Sequence, residues 1–303
     1  MSKRVVCGIF FFSISALGAF AQDNAFDRAQ AFRGFTNDDG VVDGHAVATD
    51  NDLDMGDQSI LQSQGRYRPF TASAGVPFYY TSNAGLTRSH AASDFVVAPF
   101  VHLEYQPQLT STLFAFASLD DQALFYARND GYDINSFDAR LGLNYYVPSA
   151  GNLVLRAQYE YARVTNIGDV AAPIYQHDLL LNAELPFTIN ARQQLALGVY
   201  GRVSFYTNPG RARRHEVSPY IDYRIGLTHR LVLDLYGEGG LREYAYSNRR
   251  DFEGLGAVAL EYRLSRCATA SLRGSYALNR SNQSFYDYNV GNLGGLLQFS
   301  VKF

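Results

Sequence analysis

From Phe70 onward the sequence falls into twelve stretches in which apolar and polar residues alternate with a period of two. They cover roughly 70–82, 94–105, 111–119, 134–147, 153–164, 175–187, 194–206, 215–227, 231–246, 251–264, 269–280 and 287–303. Alternation at that period marks a strand whose two faces meet unlike surroundings. After Ala21 no run approaches 18 apolar residues, so any membrane crossing by this part of the chain is made by strands. The third stretch is the least regular. Leu113-Phe-Ala-Phe-Ala117 does not say which side is which, and the strand can extend through Tyr126.

The breaks between stretches alternate too. Short ones follow the even-numbered stretches, at Gln106–Thr110, Pro148–Asn152, Asn190–Gln193, Thr228–Arg230 and Ser265–Ala268. Longer, more polar ones follow the odd-numbered stretches, at Ser82–Ser93, Asp120–Asp133, Thr165–Ile174 and Thr207–Arg214. Short turns on one rim and long loops on the other are the pattern of a membrane-spanning barrel of antiparallel strands, with the short turns periplasmic. A soluble sandwich also alternates, with its apolar face inward. Two features separate them. The stretches run to about 10–15 residues, where sandwich strands cluster near five or six. The apolar rows also close on aromatic rings, at Tyr105, Tyr145, Phe187, Phe205 and Tyr262, as interfacial girdles do. Pro99, Pro186 and Pro219 count mildly against central strands, since each removes a ladder donor.

Composition agrees with this reading. Tyr 22 and Phe 21 against Trp 0 and Met 2 suit a pleated surface. A mean hydropathy of −0.16 is no objection, because a barrel with an apolar outside and a polar inside averages out.

At the N-terminus, Met1-Ser-Lys-Arg4 is basic, Val5 to Phe20 is apolar, and Ala19-Phe20-Ala21 offers small residues to a signal peptidase. Residues 1–21 are therefore expected to be a cleaved signal peptide. The run of about 16 apolar residues is shorter than a spanning helix needs. Its removal takes Lys3 and Arg4 away and carries the net charge from −3 to −5. That acidity excludes a nucleic-acid-binding surface. Cys267 is then the single cysteine, which excludes an intramolecular disulfide and a cysteine-rich metal site.

Residues 22–66 carry Asp38, Asp39, Asp43, Asp50, Asp52, Asp54 and Asp57 among few aromatics, and read as an acidic, poorly ordered periplasmic tail or a plug for the barrel of residues 67–303. Asp50-Asn-Asp-Leu-Asp-Met-Gly56 has a calcium-loop flavour, but its glycine falls one position late and no acid closes the loop. No metal or cofactor is expected.

Leu293-Gly-Gly-Leu-Leu-Gln-Phe-Ser-Val-Lys-Phe303 places Leu293, Gly295, Leu297, Phe299, Val301 and Phe303 on one face. A last strand that closes on an aromatic residue resembles that of Gram-negative outer-membrane β-barrels. The resemblance spans the chain beyond the acidic tail and carries no substrate-defining motif. It implies an outer-membrane location, both termini in the periplasm, contact with outer-membrane lipid and lipopolysaccharide, and recognition of Phe303 by periplasmic chaperones and the barrel-assembly machinery. The expected fold is thus all-β, a transmembrane antiparallel up-and-down barrel of about twelve strands.

The row opposite the lipid face is mixed in sign: Asp138, Arg140, Arg156, Glu160, Asp178, Glu184, Arg202, Asp222, Arg224, Asp234, Glu238, Arg242, Glu261, Arg263 and Arg273. Interleaved acids and bases can pair across the ladder into a structural network, or line a pore whose charge biases the passing solute. Twelve strands lie between the eight that side chains fill and the 16 to 18 of open pores, so the expectation is a narrow, porin-like conduit for small polar solutes. The alternatives are a closed structural barrel that binds through its long loops, and a membrane lipid hydrolase, since phospholipase barrels carry a Ser/His site at the membrane face. The strand histidines are His102, His177 and His215, in no motif of that enzyme. Arg211-Ala-Arg-Arg-His215, the densest basic run, is expected on an external loop within reach of lipopolysaccharide or anions.

Overall fold

The computed structural model describes residues 68–303 except Gly168. The expected signal peptide 1–21, the acidic tail 22–66 and the Asp50–Gly56 run lie outside the described residues.

Twelve antiparallel strands follow one another in chain order and the last pairs with the first, closing the barrel. They are β1 (Phe70–Thr81), β2 in two pieces (Asp94–Val97 and Phe100–Tyr105), β3 (Leu113–Tyr126), β4 (Ile134–Val147), β5 (Leu153–Asn166) and β6 (Asp169–Asn190). The circuit continues with β7 (Gln193–Asn208), β8 (Arg214–Gly226), β9 (Leu231–Tyr244), β10 (Arg250–Arg263), β11 (Ala268–Ser281) and β12 (Tyr288–Lys302). Closure leaves the sheet no free edge, which is the condition for strands to cross a bilayer. β2 is broken where Pro99 has no N–H to give; Ala98 N donates to Pro77 O (2.9 Å), and Pro99 O accepts from Ala123 N (3.0 Å). Pro186 and Pro219 sit inside their ladders, opposite Ala196 and Val199.

The two faces follow the period. In β4, Leu141, Leu143 and Tyr145 point outward and are exposed, while Arg140, Asn144 and Tyr146 are buried inside. The girdle residues Tyr105, Tyr145, Phe187 and Tyr262 are exposed at the short-turn rim, and Phe205 is exposed toward the other rim. Inside, large rings lie over small residues of the neighbouring strand. A methyl group at Gly198 would overlap the Tyr220 ring, so glycine there lets that aromatic lie flat, and one at Gly294 would collide with Phe78 O and the Tyr79 backbone, so glycine there lets the two strands approach closely.

Two expected breaks are shorter than read. At the third stretch the extension through Tyr126, left open from the sequence, is the one observed, so Asp120-Asp121 lie inside β3 and not in a loop: Asp120 faces inward and Asp121 out to the Asn135 amide (2.8 Å). Thr165–Ile174 read as a long loop, yet β5 reaches Asn166, β6 begins at Asp169, and these two residues are partners across the turn with an irregular register beyond.

The seam between first and last strands extends to Phe303, whose N donates to Phe70 O (3.0 Å) and whose O accepts from Phe70 N (3.1 Å). The Phe70 ring stacks on both Phe303 (5.7 Å) and Tyr105 (4.3 Å). Deleting Phe303, or Phe303→Ser, is expected to lower the yield of folded barrel while leaving export intact. Heat-modifiable protein in membrane fractions measures this, and an unchanged folded fraction would overturn it.

Candidate functional site

Because inward positions of adjacent strands are directly opposed, charges two residues apart along a strand fall into register around the barrel. The result is a belt. His102 on β2 meets Asp120 on β3, and Asp120 lies 3.5 Å from Arg140 on β4. Arg140 Nε donates to Glu160 on β5 (2.8 Å), and Glu160 accepts from Arg202 Nη1 on β7 (2.8 Å). Arg202 also holds Asp178 on β6 and faces Glu216 on β8. Glu216 pairs with Arg242 on β9 (3.2 Å) and Arg214 (3.8 Å), and Arg242 reaches Glu253 on β10. Arg202, Glu160 and Asp178 are buried completely. Such charges persist inside only where each has a partner.

A second cluster lies nearer the short-turn rim. Arg224 on β8 donates to Asp234 on β9 (3.1 Å) and lies 3.7 Å from Glu261 on β10, which accepts from Arg273 on β11 (3.0 Å). Toward the long-loop rim the Arg249 guanidinium is held between the Tyr244 and Tyr286 rings, at 4.1 and 3.6 Å, and its Nε donates to Asp251 (2.8 Å).

The remaining residues singled out from sequence lie on the inward face beside these groups. Arg156 Nε donates to Asn144 (2.9 Å), Glu184 accepts from Tyr220 Oη (2.7 Å), and Glu238 accepts from Tyr236 Oη (2.7 Å). Asp222 is buried; Asp138 is half-buried opposite Asp120. Sequence reasoning did not single out Asp120, Arg214, Glu216 or Glu253 for the lumen. Asp120 was hidden by its acidic neighbour. Arg214 sat in the basic run expected on an external loop; instead it opens β8 and is buried, whereas Arg211 stays exposed and Arg213 Nε caps Ser204 O (2.9 Å). The parity of Glu216 and Glu253 within their strands was the signal that could have found them.

The interior is filled unevenly. On β4–β8 the inward positions hold large buried groups, among them Arg140, Arg156, Glu160, Glu184 and Arg202. On β10–β12 several are small and only partly buried: Ala257 and Ala259, Ser271 and Ser275, and Gly294. The inward face is therefore lined by smaller groups along parts of β10–β12. Above it, the segment after β1 turns into the mouth instead of away from it. Leu86, with φ of 49°, packs against Ala277, Tyr288 and Val290, and Asn83 Nδ2 donates to Asn289 O (3.0 Å). A buried leucine in the left-handed region is strained and persists only because its surroundings hold it.

The histidines are apart. Ser118 Oγ donates to Asp120 (3.3 Å), which also binds His102. His177 lies on the outer face against Tyr159 Oη (2.5 Å).

No protein-family model matches the sequence, and no curated protein matches it. The structure superposes on an outer-membrane channel from Pseudomonas putida F1 with a TM-score of 0.56, at 10% identity, over 78% of this chain and 97% of that one. The fold is that of a Gram-negative outer-membrane β-barrel. Looser matches to this barrel include the translocator domain of autotransporter NalP from Neisseria meningitidis (TM-score 0.46, 9% identity, 80% of this chain and 90% of that one) and the NanC porin (0.42, 9%, 74% and 98%). At these identities the likeness is one of architecture.

Proposed function

We propose that this barrel is a narrow outer-membrane channel for small polar solutes, and that the conduit runs along β9–β12. The observation that carries the reading is the uneven interior: a wall of buried ion pairs on β4–β8 faces a strip of small, partly exposed side chains on β10–β12. The belt then holds the barrel open as a strut, and solute moves beside it. In this reading the aromatic girdles sit at the two interfaces, Arg211 and Arg213 meet lipopolysaccharide, and Phe303 is the feature read by chaperones and the assembly machinery.

The test is conductance of the refolded barrel in planar bilayers, in a Cys267→Ser background because that thiol is exposed. Step currents are expected. Ala259→Cys treated with a bulky thiol reagent should lose most of its current, while Ser118→Cys, buried on β3, should not. Absence of steps, or a current indifferent to modification at 259, would overturn the proposal. A silent barrel would favour the second reading, a closed structural barrel, for which the inturned segment carrying Leu86 speaks.

A further inference from the structure

Resting on that channel reading, we infer that the lumen selects small cations, because along the proposed conduit Arg242 and Arg273 are set into the wall while Glu253 and Glu261, which pair with them, carry accessible charge. The lumen is rich in arginine, but the acids that face it are at least as many, and burial decides which of the two signs a solute meets. Arg140, Arg202, Arg242, Arg249 and Arg273 each expose no more than 7% of the side chain. Glu160, Asp178, Asp251 and Glu216 are as buried, but Asp120, Asp234, Glu253 and Glu261 expose 12 to 17%.

Geometry explains the asymmetry. A guanidinium is long and planar and lies back along the wall, where several carboxylates and an aromatic ring satisfy its donors at once, as Tyr200 and Glu160 do for Arg202. A carboxylate has four acceptor sites, and two arginine contacts leave the rest turned to the interior. Arg242–Glu253 and Arg273–Glu261 are therefore dipoles with the negative end toward the solute. Glu253 and Glu261, on the same strand, place two such ends along the strip that the proposed conduit follows, eight positions apart. Arg224, with 28% of its side chain exposed, runs the other way and is flanked by Asp234 and Glu261; Arg249 over the buried Asp251 does so too, nearer the long-loop rim.

The substrate class that follows is a small cation: a monovalent metal ion or an organic ammonium. An anion passing the same strip would meet carboxylate oxygens before it met a guanidinium, and fixed charge in a narrow conduit acts strongly on selection.

The experiment is the reversal potential of the wild-type mature barrel under a potassium chloride gradient, repeated at rising ionic strength and in Glu253→Gln and Glu261→Gln. Expected is a several-fold preference for potassium over chloride that shrinks with salt and weakens in each variant whose heat-modifiability shows it folded. The wild-type measurement decides the sign without any variant. A barrel that conducts but prefers chloride, or neither ion, overturns this inference alone. One that conducts nothing overturns the channel reading and this inference with it.

Discussion

Arg202→Leu is expected to cost about 3–5 kcal/mol of folding stability, the usual loss when one side of a buried ion pair is removed. Arg202 is completely buried and holds two completely buried carboxylates, Glu160 and Asp178. Without it Glu160 retains Arg140, whereas Asp178 is left with the Ser204 hydroxyl. Adding Asp178→Asn to Arg202→Leu should therefore restore a large part of the loss, since it removes the charge left uncompensated. Arg140→Leu should cost less, because both of its partners keep another: Glu160 has Arg202 and Asp120 has His102. Urea-dependent unfolding from lipid vesicles measures all of these. A loss below about 1 kcal/mol for Arg202→Leu, within the range of a solvated surface pair, would show that water screens the belt.

Leu141→Arg should be nearly as damaging for the opposite reason. Leu141 lies midway along β4, points outward and is 63% exposed, which places it against hydrocarbon. An arginine at the bilayer midplane on the lipid face of a barrel costs about 2–4 kcal/mol, falling to about 0–1 near the interfaces. Leu231→Arg, on the outward face at the first position of β9, should accordingly be mild. Vesicle unfolding of the two variants side by side gives the depth profile. Equal costs at the two positions would mean that Leu141 does not sit at mid-bilayer.

Period two made the strands legible because every strand here separates lipid from interior, so each residue announces its side. That logic also fixed which charges point inward, Arg140, Glu160 and Arg202 among them. It could not say which of them meet. The pairing of Arg202 with Asp178 and Glu160 depends on register across β5–β7, including an irregularity between His177 and Asp178 that no local pattern encodes. Asp120 was lost because a single acid inside a strand and the first acid of a loop look alike until the partner is known. The inward turn at Leu86 was illegible for a related reason: a polar segment with one leucine reads as an exterior loop, and only Tyr288 and Val290, some two hundred residues later, give that leucine somewhere to go.

The belt also constrains how such a barrel can enter a membrane. Its members come from strands β2 to β10; most pair with a neighbouring strand, and Arg202 on β7 reaches past β6 to Glu160 on β5. A flat sheet laid across hydrocarbon would hold the same guanidinium and carboxylate groups against lipid, at a few kcal/mol for each unshielded charge. Curvature must come before immersion. The charged girdle thus makes the half-made barrel insoluble in its own solvent, and insertion becomes an event of the nearly closed cylinder, not a strand-by-strand threading.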